Sequence, residues 1–117
     1  MNKRFEIVLL EEVRTFLRSL DRKHYEKILY NIRKAQVKND SELFKKLTDE
    51  IWEFRTLYGG LQYRLLAFWD KTSNTETLVI STHGFVKKQS KAPEQEIKKA
   101  IQSQSQSQYF ESKQLNK

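Results

Sequence analysis

Apolar and polar residues alternate from Arg4 to Leu9, with Phe5, Ile7 and Leu9 on one side, and this period of two predicts a short first strand. At Leu10 the period lengthens. Leu10, Val13, Phe16, Leu17 and Leu20 recur at helical spacing, Asp21 stands where a helix cap belongs, and Tyr25, Ile28, Leu29, Ile32 and Ala35 form a second stripe. Little chain is left between the two stripes, so an antiparallel helical hairpin is expected. His24, among Arg22, Lys23 and Glu26 in the first turn of the second helix, reads as a solvated surface residue. Asn39-Asp40-Ser41 breaks the pattern, and Leu43, Phe44 and Leu47 then suit a single helical turn leading into a strand.

Trp52, Phe54, Thr56 and Tyr58 alternate with Ile51, Glu53, Arg55 and Leu57; after Gly59-Gly60, Leu61, Tyr63, Leu65, Ala67 and Trp69 alternate with Gln62, Arg64, Leu66, Phe68 and Asp70. If the two glycines form a two-residue hairpin turn, Tyr58 faces Leu61, Phe54 faces Leu65, Trp52 faces Ala67, and one apolar face assembles without conflict. Arg55 then stands opposite Arg64. Like charges so placed repel, and the pairing calls for a carboxylate such as Glu53 or an anionic ligand between them; a longer turn with two solvated arginines is the alternative. A polar loop over 71–75 leads to a run from Thr77 to His83 in which Leu78, Val79 and Ile80 are apolar in succession, the mark of a central strand covered on both faces, ended by His83 and Gly84. Pro93 suits the first turn of a last helix, with Glu94 and Glu96 near its positive end and Ile97, Ala100 and Ile101 holding it to the sheet. The Gln/Ser-rich stretch 102–117 has too few apolar residues to fold alone, so a single domain over 1–101 is expected, followed by a disordered tail or a frayed helical extension.

At 117 residues the chain has room for one modest core. Lys and Arg number 22 against 15 Asp and Glu, a formal net charge of +7 that favours a polyanionic partner. No apolar run approaches the roughly 18 residues of a membrane span, and the N-terminus lacks an apolar signal core, so a cytoplasmic protein without membrane association is expected. With no cysteine and two isolated histidines, disulfides are excluded and a structural metal site is a poor fit; no cofactor is expected. Glycine-rich phosphate loops, paired-histidine metal motifs and nucleophile-elbow patterns are all missing, which removes the support for nucleotide hydrolysis and acyl transfer.

What remains is chemistry that needs concentrated positive charge and one proton carrier. Arg55 and Arg64 have forked donors suited to phosphate oxygens, whereas Lys46, Lys87, Lys88 and Lys91 suit a nucleic-acid backbone as mobile point charges, although any single one of them reads more readily as a solvated surface lysine. Cleavage of RNA by its own 2′-hydroxyl needs a base, an acid and cations around the phosphate. His83 is the candidate for proton transfer, against the alternative of a strand-end histidine bonded to backbone. Phe85 is suited either to stack on a splayed base or to pack beneath the loop.

Lys45-Lys46-Leu47, Ile51-Trp52-Glu53-Phe54-Arg55, Tyr63-Arg64 and above all His83-Gly84-Phe85-Val86-Lys87-Lys88, followed by Pro93 and Glu96, give a chain that resembles the HigB-type, phage-Gp49-like branch of the RelE/ParE toxin superfamily, in element order from about Phe5 to Ile101. The resemblance implies a small α+β fold of the RelE kind, with an N-terminal strand and helical hairpin, an antiparallel-rich sheet of about four strands and a C-terminal helix. It also implies a toxin that cuts mRNA on the ribosome without a metal, contacts ribosomal RNA, and is neutralised by a cognate HigA-like helix-turn-helix antitoxin. Arg55 and Arg64 match the family's phosphate-binding arginines, Lys46 a basic residue ahead of the strand, and 83–91 the signature loop. Two other readings stay open: a protein-binding inhibitor like the gyrase-poisoning branch of the superfamily, and an inactive module that binds RNA or antitoxin.

Overall fold

A computed structural model describes residues 3–70, 78–88 and 93–115. The chain runs β1 (Glu6–Leu9), α1 (Glu11–Arg18), α2 (Arg22–Val37), β2 (Phe44–Lys46), β3 (Trp52–Tyr58), β4 (Leu61–Asp70), β5 (Leu78–Val86) and α3 (Glu94–Leu115). The strands form one sheet in the order β1-β5-β4-β3-β2, parallel between β1 and β5 and antiparallel elsewhere. This is the expected α+β fold with five strands in place of about four. The added strand is β2. Phe44 stacks on Phe54 at 4.3 Å between ring centroids and lies 5.3 Å from Phe5, and that buried aromatic contact holds the segment extended against β3. The helical turn expected over Leu43 to Leu47 is confined to a turn at 41–43.

The two faces of the sheet are covered differently. One carries α1, packed on β1 and β5, and α2, packed on β3. Phe5, Val13, Leu17, Ile28, Ile32, Ala35, Phe44, Phe54, Leu65 and Val79 form the larger core between them. Both helices take the sheet as their packing partner. Asp21 occupies the cap position of α2 with its side chain making no cap hydrogen bond, and its carbonyl accepts from Tyr25 N at 2.9 Å. The other face carries α3 over β4 and β5, with Ile51, Leu66, Phe68, Ile80, Ala100 and Ile97 forming a smaller core. Pro93 stands just before α3, where its carbonyl accepts from Glu96 and Ile97. The helix continues beyond Ile101, where the sequence suggested the domain would end, and Gln104 is buried and donates to Glu50 Oε2 at 3.1 Å. The polar loop expected over 71–75 lies outside the described residues.

The β3–β4 hairpin has the expected register: Tyr58 pairs with Leu61, Phe54 with Leu65, Trp52 with Ala67, and Arg55 with Arg64. Gly59 and Gly60 have φ of 60° and 77°, the left-handed pair that a two-residue turn of this hand requires. A Cβ on Gly59 would also strike the His24 ring at 2.7 Å. His24 is therefore not the solvated residue its neighbours suggested. It lies edge-on to Tyr58, and its Nδ1 shares a 2.7 Å hydrogen bond with the Tyr63 hydroxyl, tying α2 to the hairpin.

β5 does not end at Gly84 but runs on to Val86, and it contains a bulge. Ala67 pairs with Ser81 and Leu66 with His83, so Thr82 is the extra residue, held by contacts of the Ser81 and Thr82 hydroxyls with the Leu66 carbonyl. Because strand side chains alternate, one inserted residue exchanges the faces of everything after it. His83 and Phe85 are thereby turned to the α3 side. Gly84 falls on the α1 side, where a Cβ would lie 2.5 Å from Leu65 and 2.6 Å from Phe16, so the glycine there serves close packing.

Candidate nucleic-acid interface

The hairpin register and strand alternation fix which side chains meet on the α3 side of the sheet. Glu53, Arg55 and Leu57 from β3 share it with Gln62, Arg64 and Leu66 from β4, and Lys45 of β2 joins them because it pairs with Glu53. α3 covers only the Leu66 and Phe68 end of this surface. The end toward the turn is an open groove of about 350 Å³ lined by Glu42, Arg55, Leu57, Gln62 and Arg64.

At its floor, Glu53 Oε1 lies 3.4 Å from Arg55 Nε and 3.3 Å from Arg64 Nε, so one carboxylate separates the two opposed guanidiniums. These are ion pairs without hydrogen-bond geometry. Glu53 Oε2 and both Nε atoms are buried and have no hydrogen-bond partner among the described residues. Buried polar atoms are rarely left in that state, and a cluster of them beneath an open groove marks a strained, incompletely bonded charge site.

The two arginines are not equivalent. Arg64, with a side chain 4% exposed, donates from Nη1 to the Tyr63 carbonyl at 3.2 Å and from Nη2 to Gln62 Oε1 at 3.0 Å. Burial, and next Arg55, pulls its pKa below the usual arginine value, with Glu53 opposing; it remains a cation at neutral pH. Arg55, with a side chain 28% exposed, donates from Nη1 to the Ser41 carbonyl at 3.5 Å and lines the groove. Arg64 is thus a fixed charge in the floor, and Arg55 is the more accessible of the two arginines.

Lys87 joins the cluster from the end of β5, its N–H donating to the Gln62 carbonyl at 2.7 Å. Its pKa is lowered, first by burial, then by Arg64, Arg55 and Lys45, with Glu53 opposing. Lys46 does not join. It pairs with Trp52, and alternation turns it to the opposite face; Lys45 is the basic residue that faces the site, one position away. Once the segment is read as a strand, its two lysines must part. Lys88 is exposed beyond the strand end, and Lys91 lies outside the described residues.

His83 does not line the groove. It is 2% exposed beneath α3, with Nδ1 hydrogen-bonded to Thr82 Oγ1 at 3.0 Å and Nε2 3.7 Å from Glu96 Oε2. Burial, followed by Lys99, lowers its pKa from 6.5 against the opposing pull of Glu96 and Glu12, so the ring is neutral at pH 7. Phe85 is half-buried against the smaller core, its ring 6.3 Å from that of His83, which favours packing over base stacking. Among the described residues, no group of three His, Asp or Glu is placed to hold a metal ion, and no helix is long and apolar enough to cross a membrane.

Residues 15–105 match the family described as phage derived protein Gp49-like (DUF891), a RelE/HigB-like toxin family associated with toxin-antitoxin systems. The comparison with curated proteins returned no match.

Proposed function

Because the chain belongs to the Gp49-like family, we propose that it is the toxin of a toxin-antitoxin pair, a HigB-type endoribonuclease that cuts mRNA on the ribosome and is held inactive by a HigA-like helix-turn-helix antitoxin. The observation that carries this reading is the cluster of Arg55, Arg64, Lys45 and Lys87 around one carboxylate, left incompletely bonded under an open groove. Four cations and one carboxylate suit a phosphodiester, whose charge grows as the 2′-oxygen attacks. Arg55 takes a phosphate oxygen, Arg64 supplies fixed charge from below, and the surrounding lysines hold the RNA and ribosomal RNA.

Proton transfer falls to Lys87 more readily than to His83. An ammonium whose pKa is lowered is a better acid, and Lys87 stands among the arginines, where the departing 5′-oxygen needs its proton. His83 reaches the groove only if α3 lifts. Its burial also favours, as a second reading, a module that binds RNA or a protein target without cutting.

Both readings are decided by mapping mRNA 5′ ends after brief induction of the chain, beside its Arg55→Glu and Lys87→Ala variants. We expect new ends within translated regions that vanish in Arg55→Glu while the fold persists, and fall by at least tenfold in Lys87→Ala. Growth arrest without new ends assigns the chain to the second reading, and a toxic Arg55→Glu removes the groove from the mechanism.

A further inference from the structure

The groove extends past the arginines toward the hairpin turn, where two uncharged residues, Leu57 and Gln62, line it. Leu57 and Gln62 are directly opposed, one same-face step from the Arg55–Arg64 pair, about 7 Å along the strands. Leu57 is 68% exposed, although it lies in a regular strand with a core close by on the other face. Gln62 is also exposed, but its side-chain amide is not free to turn: Oε1 accepts from Arg64 Nη2 at 3.0 Å, and Arg64 is itself held by Glu53 and the Tyr63 carbonyl.

We infer that Leu57 and Gln62 form a nucleobase subsite that prefers bases bearing a keto oxygen, guanine and uracil, over those bearing an exocyclic amine, adenine and cytosine. The inference rests on the RNA-cleaving reading above and adds its base selectivity. A free glutamine presents one acceptor and one donor group side by side and therefore suits adenine, which offers N7 and the N6 amine. Here Arg64 holds the carbonyl end of the amide and takes one of its two lone pairs, so the Nε2 donors are the end left to face the groove. Donors match the O6 and N7 of guanine or the O4 of uracil, and they oppose the amines of adenine and cytosine. Leu57 offers the apolar surface against which the base plane rests. Glu42, on the groove wall, repels phosphate and keeps the anion at the arginine end. The groove, at about 350 Å³, lies at the small end of ligand pockets and suits a single nucleotide.

The test is the distribution of bases flanking the cut sites, compared between the chain and its Gln62→Leu and Leu57→Ser variants and normalised to the number of cuts. We expect keto bases to exceed amino bases at one flanking position by about fivefold to tenfold, as one base-edge contact allows. Gln62→Leu, which also removes a hydrogen bond from Arg64, should lower the number of cuts and bring that ratio close to one among those that remain, and Leu57→Ser should reduce cutting at all bases alike. A preference for adenine or cytosine, no preference at all, or a keto preference unchanged in Gln62→Leu overturns the inference while leaving the nuclease reading standing. An absence of Arg55-dependent cuts overturns both.

Discussion

The two faces of the β3–β4 hairpin are built from alternate residues of the same two strands, and they do opposite things. On the α1/α2 side, Trp52, Phe54, Tyr63, Leu65 and Ala67 close a core in which Phe44 stacks on Trp52 and Phe54 and the Phe5 ring meets Trp69 edge-on. On the α3 side, Glu53, Arg55 and Arg64 bring like charges together and leave three buried polar atoms without hydrogen bonds among the described residues. Opposed arginines cost stability in a strand pair, and unbonded buried atoms cost more. The hairpin tolerates this because its register is fixed by the aromatic face and by the Gly59-Gly60 turn. One face thus supplies the stability that lets the other keep a strained arrangement of charge.

The largest effect expected from breaking that arrangement is on the aromatic side. Phe54→Ala removes a ring that touches Phe5 and Phe44 at the centre of the larger core, and should cost about 3 to 5 kcal/mol in urea unfolding. Toxicity should fall with the folded fraction. A loss below about 1 kcal/mol would mean that the aromatic face is not what holds the hairpin.

The charged face sharpens the comparison through its unequal arginines. Arg64→Met leaves the Glu53 carboxylate buried with Arg55 as its remaining ion-pair partner among the described residues, and should cost about 2 to 4 kcal/mol. Arg55→Ala removes a partly exposed partner and should cost about 1 kcal/mol or less, while weakening RNA cleavage more than Arg64→Met does per folded molecule. Equal stability losses, measured by urea midpoints, would mean that the two guanidiniums share the role assigned here to Arg64 alone.

How far this could be read in advance depended on which signals are local. The hairpin register followed from two glycines and two alternating runs, because a two-residue turn leaves one way to match apolar faces. β2 was missed since three residues carry no period, and what makes Phe44 a strand residue is its contact with Phe5 and Phe54, distant in sequence. The strand also sets which lysine faces the site, Lys45, where the family resemblance points to Lys46. The Thr82 bulge is equally silent in sequence: His83 looked like a strand-end imidazole beside lysines, and one extra residue carried it under α3. Gln62 carries no signal of its own in the sequence, because its bond to Arg64 exists only once the strand is formed.

The smallest expected effect concerns that buried histidine, and it separates a packing role from a catalytic one. In the folded chain the His83 pKa is lowered from 6.5 chiefly by burial, with Lys99 acting in the same sense and Glu96 and Glu12 against it. Below pH 6.5 the unfolded chain therefore binds a proton that the folded chain resists. The stability this gives is fully present above pH 6.5 and is lost as pH falls toward the folded pKa. Urea midpoints taken between pH 7.5 and pH 5.5 should decline for the native chain and decline less for His83→Gln. If His83 acts only through packing, the same variant should keep mRNA cleavage within a few-fold at pH 7.5, where the ring is neutral in both folded and unfolded chains. A variant that folds normally and cuts nothing would return proton transfer to His83, and would require that α3 lift from the sheet during the reaction.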